Sequence, residues 1–286
     1  MTGISQMTTS IERREAPWAL RLLPPFPAIA NRILALASQE SVGAQEVGAL
    51  IRLDPSFSAE VLSFANSALF GARCKVTSLT QAVALLGMNR VKSMATFVAV
   101  NNLVRSAVRA AALRKVWVHS VVTAIIAEAA ANNCRLDSEF AYTAGLLHNL
   151  GILGLMSAYP EEYTRMLEVS DDFGFNLLHT ERDLFDIDHC EAGAFLAREW
   201  NFPETLAVTI ARHHEEPAAN DLSIGNIIKL SWRLTDALGY AAFSPAKDWL
   251  FEDLLAYLPQ APDSWLCQSA EIARETIRVR LAASPL

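Results

Sequence analysis

Apolar residues recur at spacings of three and four almost throughout this 286-residue chain, and no run of alternating β-branched residues sits between turn dipeptides. That pattern predicts an all-α fold. Leu22-Leu23-Pro24-Pro25-Phe26-Pro27 reads as a stiff entry segment, because each proline fixes φ and biases the residue before it away from helix. A helix is predicted from Ala28 to about Ser38. Asp54 as N-cap and Pro55 at the first helical position open another, through Asn66. Ser78 or Thr80 caps Gln81 to Leu86, Gly87 breaks that helix, and Met88 to about Val104 forms the next.

A long helix is predicted from about Ala110 to Ala131, with Trp117, Val121 and Ile125 on one stripe and His119 in its middle. Asn132-Asn133 ends it. Ser138 to Leu147 follows, with Gly151 placed to act as a C-terminal stop. Pro160 opens a segment over Glu161 to Leu167. His189 begins a helix to Trp200, with Asp186 or Asp188 as cap. Pro203 starts the helix that ends in His213-His214, and Pro217 prevents its continuation. Ile224 to Gly239, carrying Asp236, and Ser264 to about Leu281 complete the series. The chain reads as two helical lobes meeting near residue 110, after a polar tail over residues 1–15.

The hydrophobic share, 52%, fits tightly packed helices. The longest apolar stretches are broken by Asn, Arg or His well short of the roughly 18–20 residues a membrane span needs. The first fifteen residues lack the apolar core of a secretory signal. Cys74, Cys134, Cys190 and Cys267 lie far apart with no paired spacing, which argues for free thiols, buried or half-buried, in a reducing cytosol. A cytoplasmic location is therefore expected.

Net charge is −7 and unevenly spread: +5 over residues 1–110 and −12 over residues 111–286. The acidic part argues against nonspecific nucleic-acid binding. Arg105, Arg109, Arg114 and Lys115 form the densest basic cluster; it reads first as a solvated helix face and second as an anion or partner site.

Five of the six histidines carry the candidate chemistry: His119, His148, His189, His213 and His214. A divalent metal needs at least three convergent ligands, and helices supply them when their side chains face a shared groove. Adjacent helical residues such as His213 and His214 point about 100° apart, so they suit two neighbouring metals better than one. Asp236 offers a carboxylate from a later helix. Trp117, Trp200 and Trp232 read as core aromatics, Asn66 and Ser67 as hydrogen-bonding between helices, and Glu215 as a solvated helix terminus.

The run Gly145-Leu146-Leu147-His148-Asn149-Leu150-Gly151 resembles the Gly-Leu-Leu-His-Asp-Ile-Gly core of the HD superfamily of metal-dependent phosphohydrolases. The surrounding pieces resemble its HDOD (HD-related output domain) branch of bacterial signalling proteins. They are Leu23-Pro24-Pro25-Phe26-Pro27, Ile51-Arg52-Leu53-Asp54-Pro55, Ala65 to Phe70, Ala82 to Gly87, Trp117 to Ser120, Asp188 to Gly193 and Trp200 to Pro203, leading to His213-His214. Together they span about residues 22–215, in the family's order. The resemblance implies an N-terminal helical lobe over 16–110, a degenerate HD-like core over 111–220, and completing helices over 221–286.

Compared with the related HD-GYP phosphodiesterases, His119, His148, His189, His213, His214 and Asp236 occupy matching ligand positions. Asn149 stands where that pattern places an Asp bridging two metals, and no Gly-Tyr-Pro loop follows Glu215. A neutral amide can donate to one cation but cannot offset the charge of two. The resemblance thus implies a non-catalytic signalling module acting through protein partners, in a circuit such as cyclic-dinucleotide metabolism or motility. A residual metal-dependent phosphohydrolase (with Fe, Mn, Mg or Zn as candidate metal) and a nucleotide or metal sensor are the two alternatives.

Overall fold

The structure, a computed structural model, describes residues 17–23, 28–37, 39, 41–53, 55–66, 76–88, 90–92, 94–95, 110–170, 176–243, 249–259 and 261–282. The predicted tail, the cap at Asp54, Ser67, Cys74, Arg105 and Arg109 lie outside these residues, as does the helix from Met88 beyond residue 95. Among the described residues there is no strand, so the fold is all-α.

The leading helices are α1 (Trp18–Arg21), α2 (Ala28–Ala37), α3 (Ala44–Ile51), α4 (Pro55–Ala65) and α5 (Leu79–Leu86). Those of the larger body are α6 (Ala110–Asn133), α7 (Ser138–Leu147), α8 (Leu150–Ala158), α9 (Pro160–Ser170), α10 (Leu177–Phe185), α11 (His189–Glu199), α12 (Glu204–Arg212), α13 (Ile224–Ala237), α14 (Phe251–Leu255) and α15 (Ala270–Ala282). A short 3₁₀ turn, Trp265–Cys267, precedes α15.

α3 packs against α2 and α5, and α4 against α5, around buried Ile33, Val47, Ile51, Phe57, Val61 and Val83. Asn66 ties the end of α4 to the approach of α5. Its amide donates to the carbonyls of Leu62 and Val76 at 2.8 and 2.7 Å, and its Oδ1 accepts from the Val76 N–H at 2.7 Å. The sequence suggests a bond between helices; Asn66 instead joins a helix end to the segment that leads into α5.

In the larger body α6 packs on α7 and α13, and α8 packs on α11, which in turn packs on α12. The second half of α6 and most of α8 are buried on every side. From Val121 to Ala131 only Glu128 of α6 escapes full burial, and Leu150 to Met156 of α8 are all buried. A helix that is apolar all round shows no amphipathic period, which is why α8 goes unpredicted. α1, α3, α10 and α14 also go unpredicted.

Gly151 corrects an expectation. It does not stop a helix; it lies inside α8, where a Cβ would fall 1.8 Å from the His189 carbonyl oxygen and 2.6 Å from the Gly193 nitrogen. Only a residue without a side chain lets α8 and α11 approach so closely. Gly145 does the same for α7, where a Cβ would sit 2.8 Å from Ala124 Cα on α6. These two approaches help to place His148 and His189, whose rings both pack against His213.

Candidate metal centre

Five helices bring the predicted histidines and Asp236 together. His119 projects from the middle of α6, and His148 is the C-cap of α7. Asp188 caps α11 by accepting from the Glu191 N–H at 2.9 Å and pairs with Arg182, placing His189 at the first helical position. His213 is the C-cap of α12, with His214 next, and Asp236 lies near the end of α13. Ring centroids are 5.3 Å apart for His119 and His148, 5.1 Å for His148 and His213, 5.3 Å for His189 and His213, and 4.9 Å for His189 and His214. A cavity of about 310 Å³ opens between them, its lining including His119, His148, Asn149, His189, His214 and Asp236.

His213 and His214 do not diverge as a continuing helix would make them. α12 ends at Arg212, and the two rings lie 4.4 Å apart, both against His189. Ligand atoms of His189, Cys190, His213 and His214 fall within 4.8 Å of one another, a spacing that suits one shared cation. The sixth histidine, His179, is exposed and pairs with Asp183 at 2.9 Å.

Backbone contacts set the imidazole tautomers. His148 Nδ1–H donates to the Gly145 carbonyl at 2.6 Å, and His213 Nδ1–H to the Ile210 carbonyl at 2.7 Å. Each ring therefore keeps a lone pair on Nε2. His213 Nε2 is buried and has no hydrogen-bond partner. An orphaned buried acceptor among other imidazoles is what a metal ligand looks like without its ion.

Burial sets the titration. It pushes His119 down to about 4, against a partial upward pull from the Tyr240 carbonyl 3.1 Å away. Burial, and then the neighbouring imidazoles, hold His148, His213 and His214 well below the ordinary histidine range. These four are neutral at physiological pH, the form that binds metals. His189 departs from them: burial lowers it, but the Glu181 carboxylate and then Cys190 more than reverse the shift, holding it well above 6.5. Protonated, its Nε2–H donates to His214 Nε2 at 3.1 Å. Burial pushes Asp236 up to about 7, with Arg233 pulling back; its Oδ1 lies 3.4 Å from His119 Nδ1.

Sequence reasoning misses several partners. Glu181, fully buried on α10, accepts from both the N–H and Nδ1–H of His189, and Tyr163 Oη–H donates to its other oxygen at 2.5 Å. A carboxylate behind a histidine fixes the ring and raises its basicity as a ligand. Cys190, read as an inert thiol, places Sγ 3.7 Å from His213 Nδ1. Trp232 is not simply a core aromatic: it lines the cavity, and its Nε1–H donates to the His213 carbonyl at 2.6 Å. Nothing in the local sequence of α10 separates Glu181 from a solvated acid. Glu215, by contrast, is exposed as expected, pairing with Arg212 and Lys229. Arg114 and Lys115 are exposed on α6, away from the cavity lining.

The donors fit a single cation. Neutral imidazoles, an oriented His189 and one buried carboxylate suit a borderline metal such as zinc or iron better than magnesium, which takes oxygen ligands. Asn149, 4% exposed at the N-cap of α8, presents an uncharged amide to the cavity.

Comparison with known proteins agrees with this architecture. Residues 23–216 match the HDOD domain. An HDOD domain protein of Geobacter sulfurreducens, of unknown function, is 24% identical over 91% of this chain and 92% of its own, with a TM-score of 0.71. A candidate signal-transduction protein of Marinobacter aquaeolei VT8 is 22% identical over 95% of this chain and 61% of its own, also with a TM-score of 0.71. A candidate metal-dependent phosphohydrolase of Shewanella amazonensis SB2B is 21% identical over 94% of this chain and 96% of its own, with a TM-score of 0.65. An uncharacterised protein of Treponema pallidum (strain Nichols) is 28% identical over 199 residues, 69% of this chain but 38% of that relative's length. The match thus spans well under half of that curated relative. Among the described residues, no helix is long and apolar enough to cross a membrane.

Proposed function

The chain belongs to the HDOD domain family, and from that premise we propose that it is a non-catalytic signal-transduction module of the cytosol. It acts through protein partners, with its two lobes dividing near residue 110, and its histidine cradle holds at most one divalent cation. The observation that carries this reading is Asn149. Two divalent cations about 3.5–4 Å apart repel by on the order of 15–20 kcal/mol even at an effective dielectric of about 20. A bridging carboxylate offsets part of that repulsion and helps to form the attacking hydroxide; an amide does neither. Asp236 and the exposed Glu216 are the acids lining the cavity, and Asp236 holds its proton up to about pH 7.

The same chain, purified without chelators, tests the proposal. Elemental analysis is paired with hydrolysis of bis(p-nitrophenyl) phosphate in Mn²⁺, Fe²⁺ or Mg²⁺. The expected result is no more than one metal per chain and no turnover above buffer. Two metals with metal-dependent turnover would establish a phosphohydrolase instead. A pull-down from the native cell identifies the partner, with cyclic-dinucleotide metabolism and motility as the circuits to check first.

A further inference from the structure

The cavity wall beside His214 has its own chemistry, centred on Arg233. This side chain is 2% exposed. Its Nη1 donates to the Lys229 carbonyl at 2.8 Å and its Nη2 to the His214 carbonyl at 3.1 Å. Nε is buried and has no partner. The nearest acids compensate it poorly: Glu216 is 3.9 Å away and 74% exposed, and Asp236 is one helical turn along. An arginine has five N–H donors and stays charged in proteins, so a buried one left short of acceptors calls for an anion.

Around that charge the cavity wall is aromatic. The guanidinium carbon lies 4.5 Å from the Trp232 ring centre and 5.2 Å from that of Trp249, and Phe243 and Ile152 continue the lining. Flat apolar walls beside one fixed positive charge favour a planar ring bearing an acidic group. The volume, about 310 Å³, is at the lower limit of small-molecule sites and accommodates one ring system rather than a cyclic dinucleotide.

We propose that Arg233, with Trp232, Trp249 and Phe243, forms a binding subsite for a small aryl or heteroaryl oxyanion. This goes beyond the signalling reading and does not depend on a bound metal. A purely structural role for Arg233, tying the Lys229 carbonyl of α13 to the His214 carbonyl just past α12 and stacking on the tryptophans, uses Nη1, Nη2 and the guanidinium face and leaves Nε without an acceptor.

Chelator-treated protein is titrated with phenyl phosphate, benzoate, phenol and inorganic phosphate, read by tryptophan fluorescence and melting temperature. The subsite predicts saturable quenching and a raised Tm with phenyl phosphate or benzoate, with phenol and inorganic phosphate each binding at least about 10-fold more weakly. Whichever of the two binds more tightly identifies the acid as phosphate or carboxylate. Arg233→Gln should weaken that ligand at least about 10-fold, which is one charge-assisted hydrogen bond. Should Arg233→Gln fail to fold, Trp249→Leu, which leaves the carbonyl clamp in place, is expected to weaken it by a similar factor. Phenol binding as well as benzoate, no response to any probe at millimolar concentration, or unaltered binding in folded variants would each overturn the proposal. Because no metal is present, these outcomes leave the cation reading untouched.

Discussion

Glu181 Oε2 accepts two hydrogen bonds from His189, one from the backbone N–H at 2.8 Å and one from Nδ1–H at 2.6 Å. Both residues are fully buried. The carboxylate therefore fixes where α11 begins and how its first side chain is turned, and it holds the imidazole charged without a metal. Glu181→Gln keeps the shape and removes the anion. Burial then dominates, and the His189 titration followed by NMR should move from well above 6.5 to below it. Affinity for Zn²⁺, measured by calorimetry, should fall by about 10–100-fold.

Asp236 gives the metal-free protein a distinctive pH dependence. Its carboxyl titrates at about 7 in the fold against an ordinary 3.8, so between these values the folded chain keeps a proton that the unfolded chain has released. Stability is therefore lost as pH rises through that window, by on the order of 4 kcal/mol, and levels off above it. His119, depressed to about 4 from 6.5, works in the opposite sense and loses stability as pH falls through its own window. Comparing chelator-treated wild type with Asp236→Asn by urea unfolding isolates the first effect. The variant should be the more stable at pH 8, with the difference closing toward pH 4.

The α8–α11 contact leaves no room for a side chain. Gly151→Ala would put a methyl 1.8 Å from the carbonyl of His189, and backbone on both sides means that no side chain can swing away. Destabilisation of about 3 kcal/mol or more is expected, at or above the upper end of ordinary overpacking. Loss of metal affinity should accompany it, because His189 moves with its carbonyl. Thermal unfolding and zinc titration of the variant check both.

Much of this was legible in the sequence because it is local. Asp188 preceding His189, proline at positions 55, 160 and 203, and paired asparagines after Ala131 mark helix ends through capping and backbone chemistry that neighbours alone decide. The five histidines and Asp236 converge as their contexts suggest. Glu181 was illegible for the opposite reason: Leu177 to Phe185 reads as an ordinary amphipathic surface helix, and only the packing of α10 beside α11 buries its acid against His189. Arg233 is similar, since its position on α13 says nothing of Trp249, which a later segment brings to its guanidinium. The divergence expected of His213 and His214 requires a helix through His214, and α12 ends two residues before it. Gly151 reads as a stop because close approach between helices leaves the same mark in a sequence, a glycine, as a helix end.

The most direct test of the electrostatic account is the stoichiometry of Mn²⁺ binding to wild type and to Asn149→Asp, titrated side by side at pH 8. Wild type should take up one equivalent at most, and the variant, with a carboxylate restored at the N-cap of α8, should take up two. Two equivalents in wild type, or an unchanged count in a folded Asn149→Asp protein, would show that something other than the missing charge governs this site.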